Sequence, residues 1–250
     1  VESFAQLVRS GFGQAAFRPR SAIDMLNQAI SNSAAETVYG MAVTNLAAPA
    51  ARALATTNFE TMLPSNRQTI ATAAGMTEKR ASHTCCSRRA VGGGFRFETI
   101  FGIAAADAGV KAFFGLSSAN AAMTNVNPST LLNLIGFGKD QADANFSLMS
   151  NDGAGAAAKT ALTNAGGRAA AIDSVFKVEL WCDAGEAGID YQVSRISSTG
   201  VLAQDFGQIA ADLPVIDTLF VPHLWMGNSS AVAHTWDFSS LALSPAMFSA

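Results

Sequence analysis

Charge is scarce in this sequence: Asp, Glu, Lys and Arg make up 14% of its 250 residues and leave a net charge of −3. No basic stripe with interleaved aromatics occurs, which excludes nucleic acid as an expected partner. A surface so poor in Lys and Glu implies cover by neighbouring chains, or small polar residues in place of charge. No apolar run approaches the ~20 residues that cross a bilayer, so no membrane insertion is expected. Cysteine is rare and odd in number, with three residues at Cys85, Cys86 and Cys182. Adjacent cysteines seldom bridge each other and the odd count argues against a disulfide framework, so free thiols in a chain made in a reducing cytosol are expected. The start lacks both a secretory pattern and an initiator Met, and the expectation is a processed chain or one that begins inside a longer product.

The 49% hydrophobic share is inflated by Ala, so the core must come from the 16 Phe, the 3 Trp and the Leu, Ile and Val residues. Residues 1–91 are rich in Ala, Ser, Thr and Asn and show no sustained alternation. They read as an extended, partly helical N-terminal arm and linker for oligomerisation and attachment. Ser21 and Asp24 suggest a capped helix with Ile23, Leu26 and Ile30 on one face, and Asn66 to Ala74 a second helix ending at Gly75. Met76 to Gly94 collects Lys79, Arg80, Arg88 and Arg89 before three glycines, and reads as a linker.

From Phe95 the hydrophobic period becomes two. Phe95, Phe97, Thr99 and Phe101 fall on one face, and Val110 to Leu116 gives a second strand with Phe113 and Phe114 on opposite faces. Leu134 to Leu162 packs strand patterns between turn signals, with Asp152-Gly153 marking a tight hairpin. Ala171–Trp181 and Ile189–Ile196 form an antiparallel pair across a six-residue loop. Thr218 to Met226 gives a strand in which Pro222 favours an edge or bulge, and Ala231 to Leu243 closes the set. About nine or ten strands at this spacing make residues 92–250 a mainly β domain, an antiparallel β-sandwich.

Candidate chemistry is thin. His83, Cys85 and Cys86 lack the second ligand pair that tetrahedral zinc needs, and Gly92-Gly93-Gly94 lacks the Gly-Lys-Ser/Thr of a phosphate loop. Glu98 and Glu179 are carboxylates of the type a glycosidase pairs across a sugar. Each alternates with large apolar residues and is expected on a wet or subunit-facing sheet surface, beside Arg96 or Arg195. Asp140, Asp143, Asn145 and Asp152 could supply oxygens to Ca²⁺, yet turn chemistry accounts for them without an ion. His223 and His234 have no nearby nucleophile, and His234 reads as a packed histidine. No catalytic residue, metal or cofactor is expected. Trp225 and Asn228 are the candidates for sugar recognition, through an aromatic face and a placed amide; the alternative is that Trp225 packs at a subunit interface.

The runs Phe95-Arg96-Phe97 to Phe101-Gly102-Ile103, Phe114-Gly115-Leu116-Ser117 and Asn133 to Asp140 with Asp143-Ala144-Asn145 resemble a domain at the C-terminal end of tailed-bacteriophage fibre and other virion proteins. Asn151-Asp152-Gly153, Asp212-Leu213-Pro214 and Pro222-His223-Leu224-Trp225 ahead of Asn228 extend that resemblance over residues 92–245. It implies a jelly-roll or concanavalin-like β-sandwich exposed on a virion, and a virion structural protein, foremost a tail fibre or tail-associated component whose sandwich contacts the host surface. A capsid decoration or head-fibre protein is the alternative within that class, and a polysaccharide-degrading tailspike enzyme the alternative outside it. The implied partners are copies of itself, with a trimer favoured, other virion proteins through residues 1–91, and a host surface glycan.

Overall fold

The alternation that starts at Phe95 sets the centre of the structure. In the computed structural model, β5 (Phe95–Ile103) buries Phe95, Phe97, Thr99 and Phe101 and leaves Arg96, Glu98 and Ile100 partly exposed. Residues 41–45, 50–51, 66–70, 76–81, 86–103, 109–119, 121, 123–167, 175–230 and 233–245 are described. They contain β1 (Met41–Asn45), β2 (Ala50–Ala51), β3 (Asn66–Ile70), β4 (Met76–Ala81), β5, β6 (Val110–Ser117), β7 (Leu134–Lys139) and β8 (Ser147–Asn151). The chain continues through β9 (Ala158–Ala161), β10 (Val175–Cys182), β11 (Ile189–Ser197), β12 (Gly200–Ile209), β13 (Val221–Asn228) and β14 (His234–Pro245). A single turn of 3₁₀ helix at Pro128–Thr130 is the helical element among the described residues.

Two seven-stranded sheets form a sandwich, the front in the order β1-β4-β13-β6-β7-β8-β9 and the back in the order β12-β11-β10-β5-β14-β3-β2. Every strand pairing is antiparallel. The expected β-sandwich is therefore the fold. The expected pairing of β10 with β11 is also present, in the register Val178↔Val193 and Leu180↔Tyr191. Phe113 and Phe114 do point to opposite faces of the front sheet, and both are fully buried.

The two sheets meet through aromatic rings. Phe101 of the back sheet stacks on Phe114 of the front with centroids 3.7 Å apart and planes at 11°. Phe176, Phe137 and Phe146 extend the stack, Phe137 lying 4.5 Å from Phe146 and 4.9 Å from Phe176. Trp236 closes it edge-on to Phe114 at 5.3 Å. Such rings bury large area with few rotatable bonds, which is why a Phe-rich, Tyr-poor sequence can build a core without polar partners to satisfy.

A second, smaller cluster lies on the opposite face of the front sheet. Phe113, Leu134, Met149 and Trp225 point there and are covered by Met123 and Leu131 from the long β6–β7 connection and by Ala157. Gly115 and Gly136 face each other across β6 and β7, and a Cβ on Gly136 would come within 2.7 Å of Gly115 Cα and 2.9 Å of the Phe113 ring. Two side-chain-free positions are what let that ring lie flat on the sheet.

Several expectations are corrected. Residues 41–81 supply strands to both sheets, so the division at 91/92 cuts through the sandwich: β3 pairs with β14 and β4 lies between β1 and β13. Asn66–Ile70, expected as helix, is a strand, because pairing with β14 outweighs a weak local helical pattern. Met76–Ala81, expected as linker, is likewise a strand. The helix expected from Ser21 lies outside the described residues. Strands β8 and β9 form a hairpin, but residues 152–157 make its loop in place of a tight turn; the Asn151 side chain organises that loop through Gly153 N–H, Ala154 O and Gly155 O. Pro222 sits on an inner strand. It is tolerated because β4 pairs with β13 only from His223 onward, leaving no ladder bond for the missing N–H on that side. β14 changes register between Phe238 and Ser240, a bulge that lets Leu241 and Leu243 return to the core after Phe238.

Candidate functional site

Across β4 and β13, Glu78 is paired with Trp225 and Arg80 with His223, which puts all four side chains on the covered face of the front sheet. Glu78 and His223 have no exposed side-chain surface and are joined at 2.6 Å. The same carboxylate accepts from Arg80 Nε at 3.0 Å and from the Met123 N–H at 3.1 Å. Burial pushes the Glu78 carboxyl up, but the hydrogen bond and charge of His223, the Met123 N–H and Arg80 together hold it below the ordinary carboxylate range. Sequence reasoning missed Glu78 because it was placed in a linker, and its partner lies 145 residues away. Here the His–carboxylate pair anchors the β6–β7 connection to the sheet. Both side chains of the pair are sealed from solvent.

Burial corrects the sugar assignment. Trp225 and Asn228 are both fully buried: Trp225 presents no ring face to solvent, and Asn228 uses its side-chain oxygen to hold the following turn through Ser230 N–H and Oγ. The Asn228 carbonyl accepts from Asn125 Nδ2 at 2.9 Å. His234 is buried, as expected of a packed histidine, with Nε2 3.1 Å from Ser230 Oγ.

Glu98 and Glu179 are register partners on β5 and β10. Arg96 meets Glu179 at 2.7 Å, and Lys177 bridges Glu179 at 3.1 Å and Glu98 at 3.3 Å. Arg96 also lies over the Trp181 ring, 5.9 Å from its centroid. These side chains form a charge lattice on the solvent side of the back sheet, with Arg96 as the expected partner. Two carboxylates neutralised by cations on adjacent strands do not flank a sugar from opposite sides.

The acidic turn after β7 is satisfied by the protein. Asp140 accepts from Ser129 N–H and Oγ and meets Lys159 at 2.7 Å. Burial pushes the Asp140 carboxyl up, and Lys159 and Ser129 outweigh it and hold it low. Asp143 accepts from the Asp140 N–H at 3.0 Å and from Lys159 at 2.7 Å. Asp152 accepts from Ala154 N–H at 3.0 Å, within its own loop. Among the described residues no three His, Cys, Asp or Glu side chains converge as a metal centre. His83 and Cys85 lie outside the described residues, and Cys86 is buried beside Phe220.

Open space is found on both sides of that turn. One recess of about 400 Å³ is lined by Gly109, Asn127, Gln141, Ala142, Ser229 and Ser230. A second of about 330 Å³ is lined by Asp143, Asn145, Ser147 and Lys159 together with Phe146 and Leu162. Their amides, hydroxyls and one ion pair are carried by the β7–β8 turn together with the neighbouring loops and β9. Such groups bind polar, uncharged ligands by hydrogen bonding.

No family model and no curated protein sequence matches the chain. Solved structures do. A protein of unknown function from Shewanella oneidensis MR-1 is 10% identical over 97% of this chain and 94% of its own, with a TM-score of 0.56. Peanut lectin with a bound 9-residue peptide is 11% identical over 85% of this chain and 94% of that one, with a TM-score of 0.53. Lectin UEA-II complexed with galactose is 12% identical over 85% and 95%, also with a TM-score of 0.53. At these identities the likeness establishes the lectin-like sandwich fold.

Proposed function

We propose that this chain is a structural component of a tailed-bacteriophage virion, a tail fibre or tail-associated protein whose sandwich faces outward and contacts a host surface glycan without catalysis. The observation that carries the binding role is the pair of open, amide- and hydroxyl-lined recesses flanking the Asp140–Asn145 turn, set against candidate acids that are locked in ion pairs or buried. The virion setting rests on the resemblance of residues 92–245 to fibre and virion domains. A sandwich of like fold holds galactose in lectin UEA-II, so the scaffold is compatible with sugar recognition. Assembly into trimers and attachment to other virion proteins belong, in this reading, to residues 1–40, ahead of the strands that residues 41–81 supply to the sandwich.

Purified protein is expected to bind host cells, to block particle adsorption, and to release no new reducing ends from host capsule or lipopolysaccharide. Gln141→Ala with Asn127→Ala is expected to weaken cell binding at least tenfold while the melting temperature stays within a few degrees. Hydrolysis abolished by Glu98→Gln or Glu179→Gln would establish the tailspike enzyme instead.

A further inference from the structure

We infer that the two recesses form one site and that its occupant is a single neutral, linear oligosaccharide lying across the Asp140–Asn145 turn, an inference that rests on glycan contact as proposed above. Strand order sets the recesses in line. The first opens where β6 begins and β13 ends, beside Gly109, Ser229 and Ser230, and the second lies against β8 and β9, beside Ser147, Lys159 and Ala161. In the front sheet β7 stands between those two pairs of strands. Its turn into β8 gives Gln141 and Ala142 to one recess and Asp143, Ala144 and Asn145 to the other. Three strand spacings separate the recesses, about 14 Å, which exceeds one sugar ring and suits a short chain.

The turn between them is a low ridge on a fixed base. Ala142 and Ala144 are exposed on it, and Asp143 between them is turned back to the Asp140 N–H and Lys159. A chain passing from one recess to the other therefore crosses methyl groups and meets no bulky side chain. The base is tied to its surroundings at three points: Asp140 accepts from Ser129 N–H and Oγ, Gln141 N–H donates to Asn127 Oδ1 at 3.0 Å, and Lys159 reaches in from β9. Groups already held in place lose little freedom when a ligand binds. Asn127 keeps its amide hydrogens for the ligand, and Gln141 and Asn145 offer amides from exposed positions on either side of the ridge. Charge selects the class of sugar. Lys159 is the one cation among the lining residues, and Asp140 and Asp143 both hold it at 2.7 Å. An acidic sugar would face the Asp143 carboxylate without an unpaired cation, whereas a neutral one meets amides and hydroxyls.

The test is calorimetric titration of the full chain with oligosaccharides released by mild acid from host lipopolysaccharide and fractionated by size and charge. Single sugars are expected to bind weakly, two to a chain. A neutral fragment long enough to reach both recesses is expected to bind one to a chain and at least tenfold more tightly, because its second contact becomes intramolecular. Ala142→Trp raises the ridge, and is expected to return the long fragment to the affinity of the short one while the melting temperature stays within a few degrees. Gln141→Ala and Asn145→Ala, on opposite sides of the ridge, are each expected to weaken the long fragment several-fold. Absence of binding by every fraction removes the glycan contact and this inference with it. Equal affinity for long and short fragments, two bound at every length, or preference for acidic fractions overturns the inference alone and leaves the glycan contact standing.

Discussion

Glu78→Ala is expected to destabilise the fold by about 3–5 kcal/mol, the cost of removing one member of a buried ion-paired network. The substitution leaves His223 buried without its carboxylate, takes an acceptor from Arg80, and frees the Met123 N–H that ties the β6–β7 connection to the sheet. Thermal unfolding should show it as a loss of roughly 6–20 °C, given about 2–4 °C per kcal/mol for a chain of this size. The pH dependence has a fixed sign. Because the folded state holds the Glu78 carboxyl low, its stabilisation is fully present above the unfolded carboxylate range near ~4.3 and is lost as pH falls through the folded value. Glu78→Gln keeps an acceptor but cannot titrate, so acid should destabilise it less steeply than the unsubstituted chain below about pH 4.3. A melting temperature within a degree or two of the unsubstituted chain for Glu78→Ala would show that the network contributes nothing.

Phe101→Ala should have an effect of similar size in a different place. Phe101 is the ring through which β5 touches the front sheet, stacked on Phe114 at 3.7 Å and within 5.8 Å of Phe137 and 5.7 Å of Phe176. Deleting it leaves a cavity between two sheets whose strands cannot collapse into it without breaking their ladders. The expected loss is about 3–5 kcal/mol in denaturant unfolding, with Phe101→Leu losing less because it refills most of the space. Removal of Phe206 from the exposed edge, by contrast, should leave stability unchanged. The three substitutions together separate core, anchoring network and surface.

The centre of the sandwich was legible because its strands announce themselves. β5 and β10 alternate one buried face with one charged face, so period and composition agree. β3 and β4 did not, and the reason is physical. In NRQTI and MTEKRA the described buried side chains are Ile70, Met76 and Glu78, and the last is held by ion pairs, so no apolar alternation marks either strand. Their pairing depends on β14 and β13, far along the chain. The candidate site fared likewise. Trp225 stood beside a turn and invited a surface reading, whereas the β6–β7 connection folds over it. The recess residues Asn127, Gln141, Ser229 and Ser230 come from three separate loops, and each looks locally like turn chemistry. The acidic turn at Asp140–Asn145 was correctly read as turn chemistry in its hydrogen bonding, and its position between two recesses emerges only from the three-dimensional arrangement.

The virion assignment is tested most directly by electron cryo-microscopy of particles carrying this chain, with the sandwich located by fitting and its copies counted. The account predicts a small number of copies at the tail or its fibres, with the Asp140–Asn145 turn facing outward. Hundreds of copies on the shell would contradict the tail assignment and establish a decoration protein, and absence of the chain from purified particles would contradict the virion role altogether.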